Sequence, residues 1–359
     1  MAAITASMVK ELREISGAGM MDCKKALTEA DGNIDAALDI LKKSGAAKME
    51  KKASRIAAEG IARVACDNGV AVVVEVNSET DFVAKNEVFQ TFVQEVADKA
   101  LASGKNGGAN GEDVQDLLAS GLQEEFADKT LKIGEKLSFR RFERVEGAEV
   151  ATYIHGGGKI GVLVAANGAN GDAVKEALTN VAMQVAAMNP TYISRDDISA
   201  DELAKIKDIT LESALNDAFT LPKPILAKLL EEAVAGSNWS DDDKKAYEEN
   251  KTNKYLPNFI SDAGKAALGQ MALAKKDEIS GDKIFSGLVE GRISKQLKEI
   301  CLLDQVYVKA EDGKQSVAAY LKSVDANIAI SKFVRFEVGE GMEKKNEDFA
   351  AEVAAQMNA

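Results

Sequence analysis

The feature that most restricts the fold is an order of segments that occurs twice. Residues 60–77, GIARVACDNGVAVVVEVN, read as two strands around a DNG turn at 67–69. Apolar runs broken by Asn-Gly are the strongest short-range hairpin signal, because both turn residues tolerate positive φ. A polar stretch, SETDFVAKN (78–86), leads from the second strand into a helix with Phe89, Phe92, Val93 and Val96 on one face. Further on, KLSFRRFERVEG (136–147) alternates like a strand and opens a second occurrence. There ATYIHGGGKIGVLVAANG (151–168) supplies two more strands around a glycine turn. A helix follows with Val174, Leu178, Val181, Val185 and Met188, and Asn189-Pro190 ends it. Hairpins followed by helices predict an α+β chain with two related antiparallel-sheet-plus-helix subdomains.

The flanks read as helical. Thr5 or Ser7 can cap a first helix with Val9, Leu12 and Ile15 apolar, and Ser16–Gly19 stops it. A second helix spans about 20–30, DGN (31–33) turns the chain, and Ile34, Ala37, Leu38 and Leu41 form the stripe of a third. Residues 48–55 read as a solvated linker helix. Residues 200–285 are polar and helical, with an N-terminus at Ser240 whose first turn is filled with acids. In LPKPILAKLLEEAVAG (221–236), Ile225, Leu226, Leu229, Leu230 and Val234 share one stripe, which must pack on its neighbours or form a self-association surface. A strand over 333–341 and a helix over 346–356 close the chain.

Charge and composition narrow the function. With 45 basic and 58 acidic residues the net charge is −13, which opposes general binding to phosphate backbones or anionic membranes, so neither nucleic acid nor membrane is expected as a partner. Cys23, Cys66 and Cys301 are far apart and the chain has one histidine, so neither a metal site nor a disulfide framework is expected. GGGK (156–159) lacks the spacing of a phosphate-binding loop, and DGNID lacks the distal glutamate of a calcium loop. His155 has no nucleophile beside it and reads as a strand end. No catalytic constellation and no cofactor fingerprint emerges, which points to a binding or regulatory protein rather than a bond-making enzyme. The charged N-terminus lacks the apolar run of a signal peptide, so the expected location is the cytoplasm.

Two details stay open at this level. Met20 and Met21, beside the glycine turn, are either core gap-fillers or an adaptable contact surface. Phe82 lies seven residues before Phe89, so a helix continued backwards would bury it; otherwise it is a probe aimed at a partner.

ITASMVKELREISGAGMMDCKKAL (4–27), VNSETDFVAKN (76–86), HGGGKIGVLV (155–164) and RFEVGEGMEKKNEDFAAEVAAQ (335–356) together resemble the bacterial elongation factor Ts family. The likeness covers the chain apart from roughly 205–285. It implies guanine-nucleotide exchange on elongation factor Tu during translation elongation, acting on its GDP and nucleotide-free forms. It also implies a ubiquitin-associated-like (UBA-like) three-helix module (1–55), a core N-subdomain (56–148), and a core C-subdomain (149–335) with an extended helical hairpin insertion (about 205–285). A small C-terminal helical module (336–359) completes the chain. Carried over by motif, Thr80, Asp81, Phe82 and Val83 enter the partner's nucleotide domain, where the aromatic ring displaces the geometry that holds magnesium and Asp81 adds a hydrogen bond. Met20 and Met21 touch the same domain, and Phe349 on the closing helix braces another face. Gln184 stands where many members carry histidine, so that contact loses its charge. Family members can pair through the core, which leaves a homodimer open. The competing reading is a non-exchanging, chaperone-like adaptor that uses the N-terminal helices.

Overall fold

The computed structural model describes residues 4–343. The chain is mixed α/β with antiparallel sheets and divides into two compact units, one of residues 1–189 with 307–359 and one of residues 190–306. In the first, α1 (Ala6–Ser16), α2 (Met20–Glu29) and α3 (Ile34–Lys52) form the N-terminal module. The Thr5 side chain accepts from the Met8 amide and Asn33 accepts from Ala36, so two of these helices begin with the caps their sequences provide. Leu12, Cys23, Leu27, Ala37 and Leu41 make the buried core. The third helix differs from its expected form: the 48–52 stretch is no separate linker but the end of one continuous helix. Gly45 is kept because α3 lies against α7 (Gln123–Ile133), where a Cβ would sit 2.9 Å from the Ala127 carbonyl oxygen.

Strands β1 (Glu59–Asp67) and β2 (Val70–Ser78) form the anticipated hairpin, with Asn68 and Gly69 at φ 46° and 78°. The short α4 (Asp81–Ala84) and then α5 (Glu87–Ser103) follow. After the two-residue β3 (Gly107–Gly108) and α6 (Val114–Leu117), a kink at Gly121 leads into α7, and β4 (Ser138–Glu146) completes a sheet in the order β1-β2-β4-β3. Thus β4 does not open the second sheet as its position suggested; it pairs with β2. Alternation predicts a strand but not its partner. The second sheet is β5 (Glu149–His155), β6 (Ile160–Asn167) and β7 (Ala329–Glu337), and α8 (Asp172–Met188) packs on it.

The central strand β2 is buried along nearly its whole length because both faces are covered. Val72, Val74 and Val76 pack with Phe89, Phe92, Phe126, Phe139 and Phe142, whereas Ala71 and Val73 meet Leu163, Ala165, Val334 and Phe336 of the other sheet. Two-sided burial explains a continuous apolar run in place of alternation. Within that run Glu75 is fully buried. Its carboxylate accepts from Arg140 Nη1 (2.8 Å), Arg141 Nε (2.6 Å), Asn77 Nδ2 (3.1 Å) and the Gly339 amide (2.9 Å). Arg141 lies over the Phe336 ring, 4.2 Å from its centroid. A buried carboxylate persists only when paired and hydrogen-bonded, and here the pairing joins the two sheets.

The second unit comprises α9 (Ala200–Asn216), α10 (Lys223–Ala235), α11 (Asp241–Asn250), α12 (Asp262–Ala274), α13 (Lys276–Ser280) and α14 (Lys283–Ile300). It starts before and ends after the insertion expected at about 205–285. The apolar stripe of α10 packs inside this unit, since Leu229 and Leu230 share a core with Leu215, Trp239, Leu268, Phe285 and Val289, and Ile225, Leu226 and Val234 lie against it. Trp239 Nε1 donates to the Gly264 carbonyl at 2.9 Å. Burial alone would raise the Asp243 carboxyl, but bonds from the Ser261 amide and from the Ser240 and Ser261 hydroxyls hold it below the usual carboxylate range. In the first unit, α15 (Val317–Val324) precedes β7.

Candidate functional site

The residues singled out at the mouth of the helix after β2 are held by a dense set of hydrogen bonds. As β2 ends, the Ser78 hydroxyl donates to the Thr80 carbonyl at 3.0 Å. Thr80 caps α4: its hydroxyl oxygen accepts from the Val83 amide at 3.4 Å and its proton goes to Glu135 Oε1 at 2.7 Å. Glu135 Oε2 accepts from the Glu79 and Thr80 amides at 3.1 and 3.0 Å. The chain then breaks at Asn86, which accepts from the Val88 and Phe89 amides and starts α5 on a new axis. That break decides the fate of Phe82. It is 80% exposed, while Phe89 is fully buried. Val83, half-buried, anchors α4 to the core below. The ring is held outward on a capped turn and takes no part in the core beneath it.

Electrostatics reinforce this geometry. Lys85 Nζ donates to Asp81 Oδ2 at 2.7 Å. That bond, with the charges of Lys85 and Lys159, holds the Asp81 carboxyl below the ordinary carboxylate value. Lys159 belongs to the GGGK turn between β5 and β6, and the Gly158 carbonyl accepts from the Ala62 amide on β1 at 2.7 Å. The glycine turn thus serves as packing beside α4.

The remaining predicted contact residues fall in three places. Met20 and Met21, at the start of α2, are 59% and 65% exposed, so neither is a core gap-filler. Ile15 of the same module is exposed as well. Gln184 is fully buried on α8, and its Oε1 accepts from the Val308 amide at 2.8 Å. Being buried, it can reach a partner only indirectly, and one route is the loop that Val308 begins. That loop is also held by Lys309 on Asn180 Oδ1 (2.7 Å) and by the stacked Tyr307 and Tyr320 rings, 4.0 Å apart. Phe349 and the closing helix lie outside the described residues.

Among the described residues no group of three or more His, Cys, Asp or Glu side chains could hold a metal ion, and no helix is long and apolar enough to cross a membrane. His155 sits at the end of β5 with Nδ1 3.0 Å from the Tyr153 hydroxyl. Glu135 was not among the residues selected from the sequence. Nothing in the sequence marks a charged residue after a helix as the acceptor for a turn more than fifty positions upstream.

The family model described as "Elongation factor TS" matches residues 79–238 and 243–340. It therefore extends over most of the 205–285 segment that the quoted motifs left uncovered. A curated protein named elongation factor Ts, from Clostridioides difficile, is 44% identical over 369 aligned positions covering 99% of this chain and 100% of that protein.

Proposed function

The chain belongs to the elongation factor Ts family, and from that membership we propose that it promotes GDP release from elongation factor Tu during translation elongation. In this reading it makes and breaks no covalent bond and needs no cofactor. It binds the nucleotide-free partner more tightly than the GDP-bound one, and linkage requires that nucleotide weaken the protein complex by the same factor. The observation that carries the proposal is Phe82, exposed on a turn whose start is held by hydrogen bonds to Glu135 and by the Thr80 cap. GDP is retained largely through phosphate and magnesium contacts, so an aromatic ring that disturbs the metal's surroundings removes the largest local charge complement. A preorganised aromatic anchor supplies binding free energy for that disturbance. Asp81 adds a hydrogen bond, Thr80 and Val83 fix the turn, and the Met20–Met21 surface of the UBA-like module gives an adaptable second contact. Gln184 acts indirectly, through Val308. Partner binding by the C-terminal module with Phe349, and a homodimer through the core, remain part of the proposal, as does a cytoplasmic location.

A stopped-flow measurement of fluorescent GDP leaving elongation factor Tu tests this reading. The expected result is release that accelerates with added protein and saturates. A release rate unchanged at saturating protein would refute exchange and leave a non-exchanging adaptor that uses the N-terminal helices.

A further inference from the structure

Two carboxylates cross between the turn before α4 and the turn after α7. Glu135 accepts three hydrogen bonds from Glu79 and Thr80, as described above. In return Glu79 Oε1 accepts from the Lys136 amide at 2.6 Å, and both its oxygens lie 3.2 Å from Arg55 Nη1. Lys136 Nζ reaches the Ala53 and Arg55 carbonyls at 2.6 and 2.7 Å, and Lys52 at the end of α3 donates to the Gly134 carbonyl. The turn at 134–136 thus binds both the stretch leaving the N-terminal module and the start of α4. Higher up, the same α7 carries the module through the Gly45 contact and through Leu131, which is part of the module's core.

We propose that Glu135 is a positioning residue for the Phe82 ring. It holds α4 at a fixed place relative to α7, and so relative to the module bearing Met20 and Met21. This rests on the exchange reading above. The physical argument is one of preorganisation. The turn 79–80 has two backbone amides and a hydroxyl that, among the described residues, donate to one half-buried carboxylate. Bonds to a charged acceptor are stronger than neutral ones. Without that acceptor the three donors turn to water and α4 loses its fixed start. The ring then has to be ordered at each encounter with the partner, which weakens productive binding. Glu135 bonds to the backbone and hydroxyl of the turn and not to the ring, so in this proposal it acts through the segment it holds.

The test measures GDP release from elongation factor Tu with the full-length protein and the variants E135A, E135Q, F82A and E135A/F82A, alongside thermal unfolding of each. E135A should fold and should lower the second-order rate constant of release by roughly tenfold, about the low end of what one charge-assisted bond contributes. E135Q keeps one accepting oxygen for the two amides and should recover most of that loss. E135A/F82A should be no slower than F82A, because removal of the ring leaves Glu135 nothing to position. A folded E135A with wild-type release overturns the proposal, as do E135A and F82A defects that multiply in the double variant. If E135A fails to fold, E135Q decides alone: a two- to fourfold loss that disappears on the F82A background supports positioning, by the same bond arithmetic, and an equal loss on both backgrounds overturns it. An F82A protein with wild-type catalysed release would remove the ring as the probe and with it the positioning role of Glu135, whereas wild-type protein that leaves the release rate unchanged would sink the exchange reading itself, so the two failures are distinguishable.

Discussion

The two sheet-plus-helix halves of the first unit solve the same problem, leading a buried strand into a helix, in opposite ways. From β6 to α8 the chain passes through Gly168 and Gly171, both at positive φ. A Cβ on Gly168 would lie 2.1 Å from the Asn327 carbonyl oxygen, and the Gly171 amide is taken by Glu149 Oε2 at 3.1 Å. No bulky apolar side chain leaves that connection. From β2 to α5 the path is longer, gains an extra helical turn, is stitched by Glu135 and Asn86, and lifts Phe82 outward. The frame repeats and the difference is concentrated in the connection. Function in such a fold is read from the joints between elements, not from the sheets.

The strongest way to break this comparison is to exchange the fates of two phenylalanines. Phe89→Ala, in the core, should cost about 3–5 kcal/mol of stability, seen as a lowered urea midpoint. Phe82→Ala should leave that midpoint unchanged and reduce catalysed GDP release by roughly 30- to 1000-fold, the range of an interface hot spot. An F82A protein that melts early would return the turn to the status of an ordinary helix start.

A smaller effect is expected at the brace that only the first half possesses. Gly45→Ala would place a methyl group against the Ala127 backbone and should destabilise by about 1–3 kcal/mol, as overpacking does. Differential scanning calorimetry reports the loss, and an unchanged transition would mean that α3 is free of α7.

The second half offers a comparison in the other direction. Excising only 210–280 would strip α9 and α14 of their shared core, so the cut belongs at the borders of the unit. Gln184 bonds to Val308 from the turn of α8 that precedes Asn189, so a short polar linker in place of 190–306 should close the gap. At saturation such a protein should release GDP within about twofold of the intact chain, well under the 1.4 kcal/mol that a tenfold change represents. Light scattering would show whether any dimer is lost. A folded, inactive product would assign exchange chemistry to the helical unit.

The smallest effect is the pH dependence of Asp81. Its carboxyl is lowered by the bond from Lys85. The stabilisation is therefore fully present above the unfolded value of about 4 and is lost as pH falls through the lower folded value. Melting temperatures of the wild type and of Asp81→Asn should keep a constant small offset from pH 6 to 8 and draw together as the pH falls below the ordinary carboxylate value of about 4. Convergence at neutral pH would contradict the Lys85 contact.

Local signals made much of the frame legible: the Asn68-Gly69 turn, the Phe89 stripe and the Thr5 and Ser240 caps all lie within a few residues of what they determine. Long-range choices were not. Residues 138–146 alternate equally well for either sheet, and only their pairing with β2 decides between them. The reason for Gly45 being small is a neighbour some eighty residues away, which nothing local announces. Phe82 was ambiguous because its spacing to Phe89 fits one continuous helix. Asn86, a good capping residue, carried the information that the helix restarts. Glu135 had no local mark at all.

The position of β7 has a consequence for how the chain is made. The first sheet is complete in sequence at Glu146, yet the face holding Ala71, Val73 and Glu75 is covered in part by Val334, Phe336 and the Gly339 amide. On a ribosome extending at about 5–20 residues per second, the strand arrives roughly 10–40 s after Glu146. In that interval the nascent chain carries an apolar face and a carboxylate lacking one of its donors. The second helical unit is synthesised during the same wait and has a core of its own. Its length sets how long the first unit must remain unfinished.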